Sequence, residues 1–342
     1  MIGSDIPGKE APLGLSAVAV EPEEDIRDEP VADPSDYDVL VVGGGPAGLA
    51  SAAFCGRKKL RTAVFEGDSW GGILTRWCPD KRIDNYPGLR PGVIAQELAH
   101  FLVDDARRAR VDLLKGRVEE ISRDGTVRAG TVQARGKVLI LATGSTAAEA
   151  GIAGEKEFSD AGGGVLYVVK DPWRLAGKRV VIVGGGDTAV SLVQRLSGIA
   201  ARITLVHRQH ALRTSHPVPE EWREGKEIDI LLRSSVEAIL GGAAVECVRV
   251  KNLETGAEVD LPADAVILAV GRRPNTAIIR DLDLATDAKG QVRTDRWQRT
   301  NARGILAVGD VSSHLKMIVT AVGQAAAAAH EAFLVVRDPY WK

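Results

Sequence analysis

Two stretches of this chain carry glycines at a spacing that can do chemistry. Gly43, Gly45 and Gly48, with Pro46 and Ala47 inside the turn, follow the β-branched run 37–42 and precede the helical segment 49–56. A second strand, 62–65, ends on Glu66. Strand, glycine turn, helix, strand and acid within about 30 residues read as a dinucleotide cradle. Gly43 allows the tight turn, Gly45 lets backbone approach a pyrophosphate, and Gly48 lets the helix lie close to the strand. The helix start offers unpaired N–H groups and a positive dipole end to phosphates. The Glu66 carboxylate can accept from a ribose 2′-hydroxyl.

The pattern then recurs. Strand 178–183 runs into Gly184, Gly186, Asp187, Thr188 and Ala189, and helix 190–196 leads to strand 202–206. This second unit ends on His207-Arg208, with Arg213 nearby, instead of on an acid. An acid there repels a ribose 2′-phosphate and a base attracts it. Two nucleotide sites of opposite preference fit FAD in the first unit and NADPH in the second, with NADH possible.

The sulfur inventory is sparse. Cys55, Cys78 and Cys247 lie 23 and 169 residues apart, so the chain has no C-x-x-C, no disulfide framework and no zinc-ligand spacing. Cys55 reads as a packing residue on the first helix. His207, His210 and His216 lack a framing carboxylate, and no metal is expected.

Positioning these groups takes an α/β frame. Segment 91–110 has helical periodicity, with Ile94, Leu98, Phe101 and Leu102 placed on one face. Segments 117–121 and 126–134 read as strands joined through Asp124-Gly125. Buried-type strands at 137–142, 265–270 and 304–308 run out into Thr143-Gly144, Gly271-Arg272 and Gly309-Asp310, and an alanine-rich helix closes at 318–334. With 342 residues, 45% apolar and 26% charged, the chain suits two globular domains. The sequence shows neither a run of about 18 apolar residues nor a secretory pattern, which points to a cytoplasmic protein with no membrane or nucleic-acid partner. Residues 1–36 hold ten acids against Lys9 and Arg27, a balance of −8, while the rest carries 42 bases and 36 acids, a balance of +6. Residues 1–35 are expected to be a disordered acidic tail.

Taken together, Gly43–Gly48, Asn85-Tyr86-Pro87-Gly88, Ala142-Thr143-Gly144, Gly184–Ala189, Pro274-Asn275-Thr276 and Gly309-Asp310 resemble the low-molecular-weight thioredoxin reductase branch of the two-dinucleotide flavoproteins, over residues 37 to about 334. The resemblance implies two Rossmann-like, three-layer ββα domains. The FAD domain would comprise 36–147 and 271–342, with an NAD(P)H domain, 148–270, inserted in it, usually in a homodimer. It also implies Asp310 on the FAD ribitol, Thr143 and Gly144 lining the FAD crossing, and Asn85 near the flavin. Backbone N–H groups at Met317 and Ile318 would face the flavin's pyrimidine edge, and Gly72, Ile73, Val118 and Gly309 fall at further FAD-contacting positions.

One part of the pattern is missing. Where that branch keeps its redox C-x-x-C, this chain has Tyr167 and Lys170, so thiol–disulfide exchange has no route there. Trp77-Cys78-Pro79-Asp80-Lys81 is similar instead to the thioredoxin-reductase-type ferredoxin–NAD(P) reductases, which implies ferredoxin or flavodoxin as electron partner. Ile73 in place of a glutamine, Cys78 in place of an aromatic, Gln209 after Arg208 and a short 337–342 end depart from that group. Two other readings stand beside it: Cys78 as a lone redox thiol against the flavin, and a non-catalytic flavin-binding paralogue. Tyr340 and Trp341 either cover the flavin or fray.

Overall fold

In a computed structural model the described residues are 36–215, 217–219, 222 and 227–338. The expectations for residues 1–35, His216, Tyr340 and Trp341 fall outside them.

The first lobe is built on β1 (Asp36–Val42), α1 (Pro46–Arg57), β2 (Thr62–Glu66), α2 (Ile73–Arg76), α3 (Ala95–Arg108) and β3 (Asp112–Lys115). A meander of β4 (Glu120–Ile121), β5 (Thr126–Ala129) and β6 (Val132–Leu141) follows. Strands β3, β2, β1 and β6 are neighbours in parallel, and β4 and β5 add antiparallel to the start of β6. Buried on both faces, β1 is a continuous Val-Leu-Val-Val run, as a central parallel strand requires.

The chain leaves this sheet through β7 (Ser145–Ala147) and builds a second lobe. It contains α4 (Glu155–Asp160), β8 (Val165–Leu166), β9 (Arg179–Val183), α5 (Asp187–Leu196), β10 (Arg202–Val206) and β11 (Ile228–Leu231). The antiparallel meander β12 (Ser234–Gly241), β13 (Val245–Asn252) and β14 (Glu258–Pro262) precedes β15 (Ala265–Leu268). Parallel strands run in the order β11-β10-β9-β15-β8. One face packs on α5 and the other on the meander, giving two separate cores and the three-layer ββα arrangement. β16 (Arg272–Pro274) pairs antiparallel with β7 and returns the chain to the first lobe, where β17 (Ile305–Ala307) adds beside β6 and α6 (Ile318–Arg337) closes. Both domains are therefore Rossmann-like, one inserted in the other.

α6 is long and apolar enough by composition to cross a membrane. Here Ala325, Ala328, Ala329 and Ala332 are fully buried, and α6 packs on α1 as a core helix.

Three local expectations need correction. Phe101 does not lie on the buried face of α3; it is half exposed. Ala95, Ala99 and Ala106 carry the contact together with Leu98 and Val103. At 100° per residue these centre the stripe away from Phe101, because small residues let the helix approach closely. Segment 126–134 is not one strand: it breaks at Gly130, whose φ of 58° turns β5 back into β6. Of 117–121, only Glu120–Ile121 is strand.

Asp264, at the entry to β15, accepts from the Arg179 backbone N–H (2.8 Å) and its Nε (2.9 Å). The Arg179 side chain, then its backbone, pulls the Asp264 carboxyl down to about 2 from an ordinary 3.8. A depressed folded-state value stabilises the protein above the unfolded value and loses that contribution as pH falls through the folded one. Asp264→Asn is expected to lower the melting temperature at pH 7, with the deficit shrinking between about pH 4 and 2; a deficit constant with pH would contradict this.

Candidate functional site: two glycine cradles and the seam between them

At the first cradle, Gly43 has φ 111°, and a Cβ there would stand 2.3 Å from the Ala142 carbonyl oxygen. A Cβ on Gly48 would stand 1.7 Å from the Gly43 oxygen. Only glycine permits α1 to seat this close to the ends of β1 and β6. Gly45, at the N-cap of α1, faces open space: the nearest atom to a Cβ there is Gly72 Cα at 4.0 Å. No side chain caps α1, and Pro46 supplies no N–H at N1. The Glu66 carboxylate accepts from the Gly44 N–H (2.8 Å) and the Asp68 N–H (2.7 Å), which fixes it beside the turn. Val118 sits by the same strand end, where Gly116 N–H donates to the Glu66 carbonyl.

The remaining residues expected at this cradle converge on it from four segments. Gly309 (φ 73°) lies so close to α1 that a Cβ would be 2.7 Å from Ala47 Cβ, and this brings Asp310 to the turn. The Thr143 hydroxyl donates to the Asn275 carbonyl and the Asn275 amide to the Thr143 carbonyl, both at 2.8 Å, locking the crossing at Thr143-Gly144. Ile73 and Ile318 pack in one cluster with Tyr86. Met317 is the N-cap of α6 and, like Gly45, is left without a side-chain cap. Asn85 is exposed on the loop beside Tyr86.

Several participants carried no sequence signal. The Trp70 ring covers Gly44, 2.6 Å from where a Cβ would stand, and its buried Nε1 has no acceptor. Asp310 accepts from the Ser145 hydroxyl (2.9 Å) and pairs with Arg272 (2.8 Å), whose guanidinium lies 4.7 Å over the Trp77 ring. Arg272 and Asp310 are 38 residues apart in the chain, and no spacing links them.

The second cradle repeats the first. Gly184 (φ 148°) would put a Cβ 2.4 Å from the Ala269 oxygen, and Gly186, the N-cap of α5, meets only Arg213 oxygen at 3.8 Å. Thr188 and Ala189 form the first turn of α5. The Asp187 carboxylate is drawn off the helix start by the Thr214 hydroxyl (2.8 Å) and Ser215 N–H (2.7 Å). His207 differs from expectation. Its ring lies on Gly185, as Trp70 lies on Gly44, and burial and then Arg213 and Arg208 push its pKa down, so it is neutral rather than a phosphate-attracting cation. The positive charge at this strand end comes from the exposed Arg208 and Arg213. Arg213 N–H donates to the Gly185 carbonyl (2.7 Å), which holds its backbone against the turn.

Both cradles thus have an open, uncapped helix start, space where side-chain atoms are excluded, and an orphaned buried ring nitrogen (Trp70 Nε1, His207 Nε2) alongside. Such a cradle could hold a dinucleotide: the space at Gly45 and Gly72 could take a pyrophosphate and Glu66 a ribose hydroxyl, and Gly186 with Arg208 and Arg213 could take a second, phosphorylated nucleotide.

On the seam, Arg195 of α5 reaches both Asp80 oxygens (2.8 and 2.7 Å) and the carbonyl of Val169 (2.7 Å). A 340 Å³ cavity opens beside it between Thr75, Arg76 and Trp77 on one side and Val168 and Lys170 on the other. Tyr167 has no redox chemistry here. Its hydroxyl donates to the buried Glu155 carboxylate (2.6 Å), which also accepts from Ala150 and Ile152 N–H. Burial and then Glu155 push the phenol's pKa up, so it stays protonated. The Cys78 thiol is pushed up by burial, against the partial opposing pull of Lys81 and Arg195.

The chain is similar to known proteins over most of its length. Residues 37–325 match the pyridine nucleotide-disulphide oxidoreductase family. The thioredoxin reductase of Listeria innocua is 33% identical over 88% of this chain and 94% of its own. Among solved structures, Lactococcus lactis thioredoxin reductase in its FR conformation superposes with a TM-score of 0.81 at 30% identity, covering 89% of this chain and all of that one. T. acidophilum thioredoxin reductase gives 0.78 at 27%, covering 87% and 98%. With two glycine cradles, an acid at one strand end and arginines at the other, this chain belongs to the pyridine nucleotide-disulphide oxidoreductase family, as a flavin-dependent oxidoreductase that uses FAD and NADPH.

Proposed function

We propose that the protein passes electrons between NADPH and a redox carrier protein of the ferredoxin or flavodoxin kind, through FAD and without a redox disulfide. The observation that carries this reading is the state of segment 165–171: Tyr167 is fastened to Glu155, Lys170 cannot form a thiolate, and no second sulfur accompanies Cys78. FAD, held at the first cradle, would supply hydride acceptance from nicotinamide and release of single electrons. The chain's own residues hold and orient. The α1 start and Glu66 fix the first nucleotide, the α5 start with Arg208 and Arg213 the second, and the uncapped α6 start offers N–H groups to negative charge. Family resemblance supports assembly as a homodimer.

The Cys78 reading has less support. A thiol whose pKa is raised is mostly protonated at neutral pH and a poor nucleophile.

Two measurements test the proposal. Arg208→Glu places an acid against the ribose 2′-phosphate. Losing a charge-assisted hydrogen bond costs about 1.5–3 kcal/mol, so KM for NADPH is expected to rise at least tenfold while KM for NADH changes little; equal changes would contradict the assignment. With NADPH as donor, ferredoxin or flavodoxin is expected to be reduced and oxidised thioredoxin left intact, with the same rates in Cys78→Ser. Turnover of thioredoxin disulfide that Cys78→Ser abolishes would overturn the proposal in favour of a single-thiol reductase.

A further inference from the structure

An acid is out of place at the second cradle. Asp187 is the first residue of α5, and it is exposed at the helix start that this cradle offers to phosphates. A carboxylate there favours the helix dipole but repels a phosphate at the same place. Its hydrogen bonds point to another task. One oxygen, Oδ1, accepts from the Thr214 hydroxyl (2.8 Å), the Ser215 N–H (2.7 Å) and the Ser215 hydroxyl (3.2 Å), 27 and 28 residues further along the chain.

These bonds close a loop over the turn. After His207 the chain is held first at Gln209, whose carbonyl accepts from the Arg233 N–H (3.0 Å). It is held next at Arg213, whose N–H donates to the Gly185 carbonyl (2.7 Å), and then at Thr214 and Ser215 by Asp187. Leu212, between these points, packs on the core shared with α5. Arg208 and Arg213 ride on this loop. Both are exposed, and no carboxylate among the described residues pairs with either. The loop backbone, rather than an acid, therefore places their guanidinium groups, and whatever fixes that backbone fixes where the charge points. A side chain on an ordered loop loses less freedom when it closes on an anion than one on a frayed loop.

We propose that Asp187 is a positioning residue for nucleotide selection: its carboxylate clasps Thr214 and Ser215 to the start of α5 and so holds Arg208 and Arg213 where they meet a ribose 2′-phosphate. Asp187 touches the loop, and the loop touches the nucleotide. The clasp rests on the reading of Arg208 and Arg213 as the 2′-phosphate contacts and is independent of which carrier takes the electrons.

Two substitutions that remove the same charge differ in the bond: Asp187→Asn keeps an Oδ1 acceptor and Asp187→Ala keeps none. Calorimetric titration of the FAD-loaded full chain with NADP+ and, separately, with NAD+ gives the ratio of the two affinities. In Asp187→Ala the preference for NADP+ is expected to fall about fivefold, the scale of ordering a loose loop on binding, and in Asp187→Asn to stay within about twofold of the native ratio. Amide hydrogen exchange at Arg213 and Ser215 is expected to quicken in Asp187→Ala and not in Asp187→Asn. Thr214→Val removes one donor from the loop side and is expected to fall between the two, which keeps the test open should Asp187→Ala lose its flavin. Because Asp187 acts through the arginines, Asp187→Ala combined with Arg208→Glu is expected to lower the ratio by less than the product of the single changes. Asn and Ala variants shifted alike would mean that charge, not the clasp, is at work, and a native ratio in Asp187→Ala would equally overturn the proposal. Arg208→Glu alone separates the two layers. If it leaves the ratio unchanged, the assignment of the arginines fails; if it collapses the ratio while Asp187→Ala does not, only the clasp fails.

Discussion

A phosphate can reach the first turn of a helix only where no side chain stands between them, and the helix can face a strand end that closely only where the backbone carries no Cβ. Gly48 against the Gly43 carbonyl and Gly43 against Ala142 meet that condition in the first lobe; Gly184 against Ala269 meets it in the second. The rest of the molecule follows from it. Parallel strands aim their C-terminal ends at the two turns, and α1 and α5 leave those ends with bare N-termini. The later crossings bring Thr143-Gly144, Asn275 and Gly309-Asp310 to the same edge.

Given two such cradles, the residues at the strand ends decide what each holds. Glu66 is pinned by two backbone N–H groups and stays an acceptor. Its counterpart, His207, is neutral and packs on the turn, so among the described residues the charge at this strand end comes from Arg208 and Arg213. The relatives named above are thioredoxin reductases; this chain has no C-x-x-C, and its Tyr167 serves the fold through Glu155. Arg195 adds a polar tie between the lobes at this place, joining Asp80 of one to the Val169 and Lys170 carbonyls of the other.

What could be read from the sequence was what local pattern encodes. The glycine turns, the buried runs of β1, β6 and β9, and the alanine-rich α6 each carry their own periodicity or steric requirement within a few residues. The misses were of two kinds. Phe101 was placed by counting large residues, but the packing of α3 is decided by its alanines; Gly130 was passed over because a single glycine does not distinguish a strand from a turn. Arg272–Asp310, Tyr167–Glu155 and Asp80–Arg195 join residues that only the tertiary fold brings together, and no spacing announces them. His207 was given a charge because its type permits one; its burial against Gly185, which removes the charge, is a tertiary fact.

The central claim is that one cradle holds a flavin and the neighbouring cradle supplies its electrons. Anaerobic titration of the FAD-reconstituted full chain with NADPH, followed by the flavin's visible absorbance, tests it most directly. Complete bleaching at stoichiometric NADPH is the expected result. A polypeptide that takes up no FAD, or bound flavin that neither NADPH nor NADH bleaches, would contradict it.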